Sequence, residues 1–257
     1  MSDILVERQG AVALITLNRP ERLNAITPDM GRAYAEALRA CGDDRSVRAI
    51  VVTGAGRGFC AGADLGVLAQ GPDVLEAFLE EQRRDSPTLA LDLPVPVVTA
   101  VAGAAAGLGL VIALASDICM LGTRARLIPA FPRLGLVAEY GIAPLLLQRA
   151  GLARTNELLL SGREIDARTA VEWGLGQGPH DDPLAAALAW AQEVAERCSP
   201  TSLAVIKGQI AGASTASRDE ALSSSLDLMR ASFRGPDLPE ALRAKAEDRA
   251  PRFPDRD

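Results

Sequence analysis

The sequence predicts an α/β core that carries a helical C-terminal extension. Short apolar runs alternate with helical stretches through residue 121, and from about residue 140 the pattern is mostly helical. No internal repeat and no flexible linker separates the two parts. We therefore place the core at residues 1–195 and read 196–257 as a helical extension of the same domain.

The elements follow in order. Ile4–Val6 and Val12–Leu17 flank Gln9-Gly10 and predict a hairpin. Asn18–Ala25 follows as a loop. Thr27-Pro28 supplies an N-cap and a proline at the first helical position, so a helix opens there and runs to about Ala40, with Gly42 as its stop. Ala49–Val52 is a buried strand that leads into the glycine-rich turn Gly54–Leu65. Residues 64–93 read as short helices broken by Gly71-Pro72 and Pro87. Pro94–Val101 is a strand whose two prolines mark either a sheet edge or an entrance segment. Gly103–Gly109 is a second small-residue turn before a helix at Leu110–Ala115, and Asp117–Leu121 is a further strand. Helices are predicted at 141–150, 154–160, 166–173, 183–198, 201–211, 218–232 and 237–248.

Composition narrows the function. A hydrophobic content of 48% over 257 residues allows a large core. A net charge of −6 argues against nucleic acid and against an anionic membrane surface as partners. No apolar run is long enough for a membrane span, and the N-terminal residues lack the basic and apolar regions of a signal peptide. Cys41, Cys60, Cys119 and Cys198 form no Cys-x-x-Cys pair and read as reduced thiols of a cytosolic protein. The only histidine, His180, sits in a polar segment and reads as solvated, and one histidine without a cysteine cluster predicts no metal site.

The two glycine-rich turns carry the chemistry. The first lacks the Gly-Lys-Ser/Thr ending of a P-loop and the spacing of a dinucleotide fingerprint. Both offer bare backbone N–H groups where a strand ends, and the second opens a helix, whose first N–H groups lack internal acceptors. Two such groups aimed at one carbonyl oxygen would form an oxyanion hole, each donor being worth about 3 kcal/mol in a transition state. Close helix–sheet packing explains the same small residues.

The chain resembles the enoyl-CoA hydratase/isomerase (crotonase) family over nearly its whole length. The resemblance rests on Asn18-Arg-Pro20 with Asn24-Ala25, on Gly58-Phe-Cys-Ala-Gly-Ala-Asp-Leu65, and on Gly103–Gly109 ending at Asp117-Ile118. Leu134-Gly-Leu136, Glu157–Arg163, Ala170 with Gly174-Leu175, and Asp237 through Phe253 extend it. Ala241 replaces a glycine usual in the family, and Lys245 an aromatic.

The resemblance implies a spiral of ββα turns with trimerising C-terminal helices, assembled as a homotrimer or a dimer of trimers. It implies an acyl-CoA substrate, with coenzyme A entering as part of the thioester rather than as a separate cofactor. Ala63 and Leu108 would donate their N–H groups to the thioester oxygen. Arg22, Asn24, Ala25, Ala61, Asp64, Leu65 and Lys245 would contact the coenzyme A moiety, Arg22 and Lys245 at its phosphates. For Arg22 and Lys245 a solvated surface role stands beside that reading, and for Asp64 a helix cap.

Family hydratases use two glutamates, and their aligned positions here are Val111 and Phe131. Glu139, in Leu136-Val-Ala-Glu-Tyr-Gly141, sits where some family isomerases carry a single acid. Its apolar neighbours would raise its pKa toward neutrality, which suits proton transfer between two carbons and equally the activation of a water. Its plain alternative is an acid favouring the start of the next helix. Glu80 and Glu81 border the expected acyl pocket and read as a charged face; Asp117 reads as a structural hydrogen-bonder. The family name thus points to a hydratase (lyase) and the residues to an isomerase. A non-catalytic acyl-CoA-binding or assembly member and a thioester hydrolase are the alternatives.

Overall fold

The computed structural model describes residues 2–213 and 215–256, leaving aside the side chains of Glu81, Gln82 and Arg84. Six strands form the main sheet. β1 (Ile4–Gln9) pairs antiparallel with β2 (Val12–Leu17), closing the predicted hairpin. β3 (Ala49–Gly54), β4 (Val97–Val101), β6 (Ile118–Gly122) and β9 (Gln177–His180) then add in parallel, in the order β1-β2-β3-β4-β6-β9. A second sheet of three short strands holds β5 (Ala104–Ala106), β7 (Arg126–Ile128) and β8 (Ile165–Asp166).

The inner strands of the main sheet are buried on both faces, which is why they read as nearly continuous apolar runs. Ala13, Ile15, Ile50, Val52, Val97 and Val101 face the larger core, with α1 (Pro28–Asp43) and α4 (Leu108–Leu114). Val12, Leu14, Ala49, Val51, Val98 and Ala100 face the other way, against Ala187, Ala191 and Ala195 of α7 (Pro183–Arg197). The small alanines let α7 lie close on the sheet.

Several expectations shift. Thr27 caps α1 as predicted, its hydroxyl accepting the Met30 N–H, but the helix runs through Gly42 to Asp43. A Cβ at Gly42 would meet Leu93 Cδ2 at 2.7 Å, so this glycine makes room for packing instead of ending the helix. β4 is central, not an edge; Pro94 and Pro96 lie ahead of its ladder, as an entrance segment would. The helix after the second turn starts at Leu108, not Leu110. The helices predicted at 141–150 and 154–160 join as α5 (Ile142–Ser161), kinked at Gly151. His180 ends β9 with its Nε2 buried, not solvated.

Between β3 and β4 lie α2 (Leu65–Leu68) and α3 (Pro72–Arg84). α6 (Ala167–Glu172) precedes β9, and α8 (Pro200–Gly212), α9 (Arg218–Arg234) and α10 (Asp237–Ala246) follow α7. Lys207 of α8 reaches into the core, donating to the carbonyls of Ala90 and Val95 and to Asp117 Oδ2. Among the described residues no helix is long and apolar enough to cross a membrane.

Candidate active site

β3 and β4 are parallel neighbours, and their carboxyl ends release the two glycine-rich turns on the same side of the sheet. Ligands in parallel α/β sheets bind outside such strand ends. The turns are stitched together by backbone. Cys60 bridges Ala105, with the Ala106 N–H donating to Cys60 O and the Cys60 N–H to Ala104 O. On its other side the first turn bridges Ile26, whose N–H donates to Gly62 O and whose carbonyl accepts the Asp64 N–H.

Two glycines permit this approach. Gly62 adopts φ +96°, and a Cβ there would lie 2.7 Å from Ala106 O and 3.5 Å from Leu108 N. A Cβ at Gly109 would lie 2.2 Å from Cys60 O. Neither position can hold a larger residue without parting the turns.

The pairing with Ile26 uses the Gly62 carbonyl and the Asp64 N–H, so the Ala63 N–H faces the opposite side. Leu108 is the first residue of α4, where a helical N–H has no internal acceptor. Among the described residues neither amide has a hydrogen-bond partner. Both residues line one pocket of about 200 Å³.

That pocket is otherwise walled by Leu65, Leu68, Leu75, Phe78, Leu79, Phe131, Leu134 and Leu136. Glu139 is the one ionisable side chain among its described lining residues. Burial pushes the Glu139 carboxyl up to about 7. Its backbone is set by two successive left-handed residues, Tyr140 at φ 50° and Gly141 at φ 71°, just before α5. Such a conformation at tyrosine is uncommon and costs energy, which the surrounding packing must offset. Tyr140 packs against the core, and burial first and the Glu139 charge second hold its hydroxyl above its ordinary range. Phe131 lines the pocket and Val111 is fully buried in α4, so no carboxylate stands at either position.

Of the other candidates, Ala61 and Leu65 line the pocket. Asp64 caps α2, accepting the Gly66 N–H at 2.9 Å, and pairs with Arg19 at 3.3 Å. Arg22 and Lys245 are exposed and are not among the residues lining the pocket. Ala25 is nearly buried, its carbonyl accepting Arg19 Nη1 at 2.6 Å. The Asn24 side chain, expected on coenzyme A, is fully buried with both ends engaged by the protein, so it is closed to a ligand. Glu80 is exposed and pairs with Arg83; the side chain of Glu81 lies outside the described residues. Asp117 accepts the Val97 N–H and Lys207 Nζ, both at 2.7 Å, which is the structural role expected of it.

Sequence reasoning missed Arg19, Lys207 and the α3 wall of Leu75, Phe78 and Leu79. The spacing of those three, i, i+3 and i+4, marks a helix face but does not say what the face borders.

Comparison with known proteins gives the family and the fold. The profile of the enoyl-CoA hydratase/isomerase family matches residues 7–256. The chain is 37% identical to the 1,2-epoxyphenylacetyl-CoA isomerase of Escherichia coli, over 98% of each chain. It is 32% identical to the enoyl-CoA hydratase EchA19 of Mycobacterium tuberculosis, over 99% of this chain and 97% of the relative. Among solved structures, an enoyl-CoA hydratase from Bacillus anthracis superposes with a TM-score of 0.92 at 26% identity, covering 98% of this chain and 99% of that one. An enoyl-CoA hydratase from Polaromonas sp. JS666 gives 0.89 at 30% identity, over 98% and 99%. The fold is that α/β architecture with C-terminal helices, and the chain belongs to the enoyl-CoA hydratase/isomerase (crotonase) family.

Proposed function

We propose that this protein isomerises the double bond of an apolar enoyl-CoA through a thioester enolate. The observation that carries the reading is one carboxylate, Glu139, in an otherwise apolar pocket that also holds the unpartnered amides of Ala63 and Leu108. Glu139 takes the Cα proton of a 3-enoyl thioester. The electron pair moves onto the thioester oxygen, where the two N–H groups stabilise the charge. The same carboxyl then returns the proton at Cγ, and the double bond ends between Cα and Cβ.

Each part has a physical rationale. Fixed amides beside a developing oxyanion contribute about 3 kcal/mol each. A carboxyl near 7 exists in both protonation states at neutral pH, which suits a group that must take and return one proton. The two-acid addition of water loses both of its acids here, because Phe131 and Val111 stand at those positions. The Escherichia coli relative is named as an isomerase of an epoxide-bearing CoA thioester, which supports isomerase chemistry on a CoA thioester in general. Arg22 and Lys245 are our candidates for the coenzyme A phosphates, and Ala25, Ala61, Asp64 and Leu65 for its remaining contacts.

We further propose that residues 196–257 extend the 1–195 core and pack against other copies in a trimer. Leu222, Leu226, Met229 and Phe233 lie exposed along one face of α9, at the spacing such a contact uses.

The test is a panel of 2-enoyl- and 3-enoyl-CoA substrates, run with wild type and Glu139→Gln. The wild type should interconvert the isomers without net hydration. The variant should lose about two to four orders of magnitude in kcat. Undiminished turnover would remove Glu139 from the mechanism, and binding without turnover in the wild type would favour a binding-only member of the family.

A further inference from the structure

We propose that Asn24 and Arg19 are positioning residues that hold the two ends of the oxyanion turn, and so aim the Ala63 N–H. The proposal rests on the reading of Ala63 as an oxyanion donor.

Asn24 is fully buried, and it spends its whole side chain on main chain. Nδ2 donates to the carbonyls of Ala55, Gly58 and Phe59, at 3.0, 3.1 and 3.0 Å. Oδ1 accepts the Arg19 N–H at 2.9 Å. Three carbonyls of a turn that point toward one another would repel unless a donor sat between them, and Asn24 is that donor. Its own backbone is left-handed, at φ 56°, a region asparagine tolerates better than most residues. The carbonyl of Leu23, beside it, accepts the Ala61 N–H at 2.9 Å. Asn24 thus fixes the beginning of the turn.

Arg19 fixes the end. Its Nη1 lies 3.3 Å from Asp64 Oδ2 and donates to Ala25 O at 2.6 Å. Asp64 directly follows the proposed donor, and its other carboxylate oxygen caps α2. Neither Asn24 nor Arg19 lines the pocket, so any effect on the reaction must pass through the turn.

The experiment uses hexanoyl-CoA labelled with ¹³C at the thioester carbonyl, which binds without a double bond to move. Difference infrared spectra report how strongly the bound carbonyl is polarised. Asn24→Gly keeps the left-handed backbone and removes the amide; Asn24→Asp keeps the volume and removes the donors. Arg19→Gln is the milder arm, since Arg19 is partly exposed. Circular dichroism and thermal melts establish which variants fold.

The wild type should show a lowered carbonyl frequency on binding. Folded variants should bind with a similar Kd, lose much of that lowering, and lose about 10²–10³ in kcat with little change in KM for the Asn24 substitutions. Variants that fold and keep the wild-type frequency would overturn the proposal, whatever their melting temperature. So would failure of both Asn24 variants to fold with Arg19→Gln keeping the wild-type frequency, which is the behaviour of an ordinary core residue. A wild type that binds hexanoyl-CoA with no lowering would instead sink the oxyanion reading itself.

Discussion

Replacing Glu139 by glutamine should make the protein more stable above neutral pH and leave it unchanged in acid. Burial raises the folded-state pKa of Glu139 from 4.5 to about 7. In the unfolded chain the carboxyl ionises near 4.3. Between these values the folded state holds a proton that the unfolded state has released. Wild-type stability therefore falls as pH rises through this window and levels off above 7. Glutamine has nearly the same shape and never ionises, so the variant escapes the loss. Taken at full value the shift is worth roughly 3 kcal/mol. Glu139 keeps partial contact with solvent, which screens the charge, and we expect about 1–2 kcal/mol. For a chain of this size that is about 2–8 °C in Tm. The assay is a pair of thermal melts, wild type and Glu139→Gln, at pH 5 and pH 8.5. All other ionisable groups are common to both proteins and cancel in the difference. A Tm difference that does not grow between the two pH values would refute a desolvated carboxylate at this position.

Two further outcomes follow from the same structure. The pH profile of kcat/KM should rise about tenfold per unit in acid and level off above about 7, as a base with the Glu139 pKa requires, and the residual activity of Glu139→Gln should be flat. Lys207→Met should destabilise the fold by about 3 kcal/mol, read as a lower urea midpoint with an unchanged slope, because it strips donors from Ala90 O, Val95 O and the Asp117 carboxylate at once.

Much of this site was legible in the chain, for physical reasons that differ from residue to residue. The glycine turns were readable because close backbone approach demands glycine at Gly62 and Gly109. Glu139 stood out through its apolar neighbours and the position that the family resemblance gave it, with a helix-start acid as the plain alternative. Gly42 misled, since a glycine that admits Leu93 looks the same in sequence as one that ends a helix. The strands β5, β7 and β8 span two or three residues each, too few for any periodicity to declare itself. The Lys207–Asp117 and Arg19–Asp64 pairs join residues 90 and 45 positions apart, so no local pattern predicts them. Asn24 was visible as part of a motif but not in its role. Only the fold reveals that its amide faces three carbonyls instead of a ligand.

The step at stake is the proposed removal of a Cα proton by Glu139 from a thioester held by Ala63 and Leu108. Its most direct measurement is deuterium uptake at Cα of a saturated acyl-CoA in D₂O, followed by mass spectrometry with no turnover required. The wild type should exchange, and Glu139→Gln should lose about two to four orders of magnitude in rate. Exchange by the variant at the wild-type rate, or none by a wild type that binds the thioester, would contradict it.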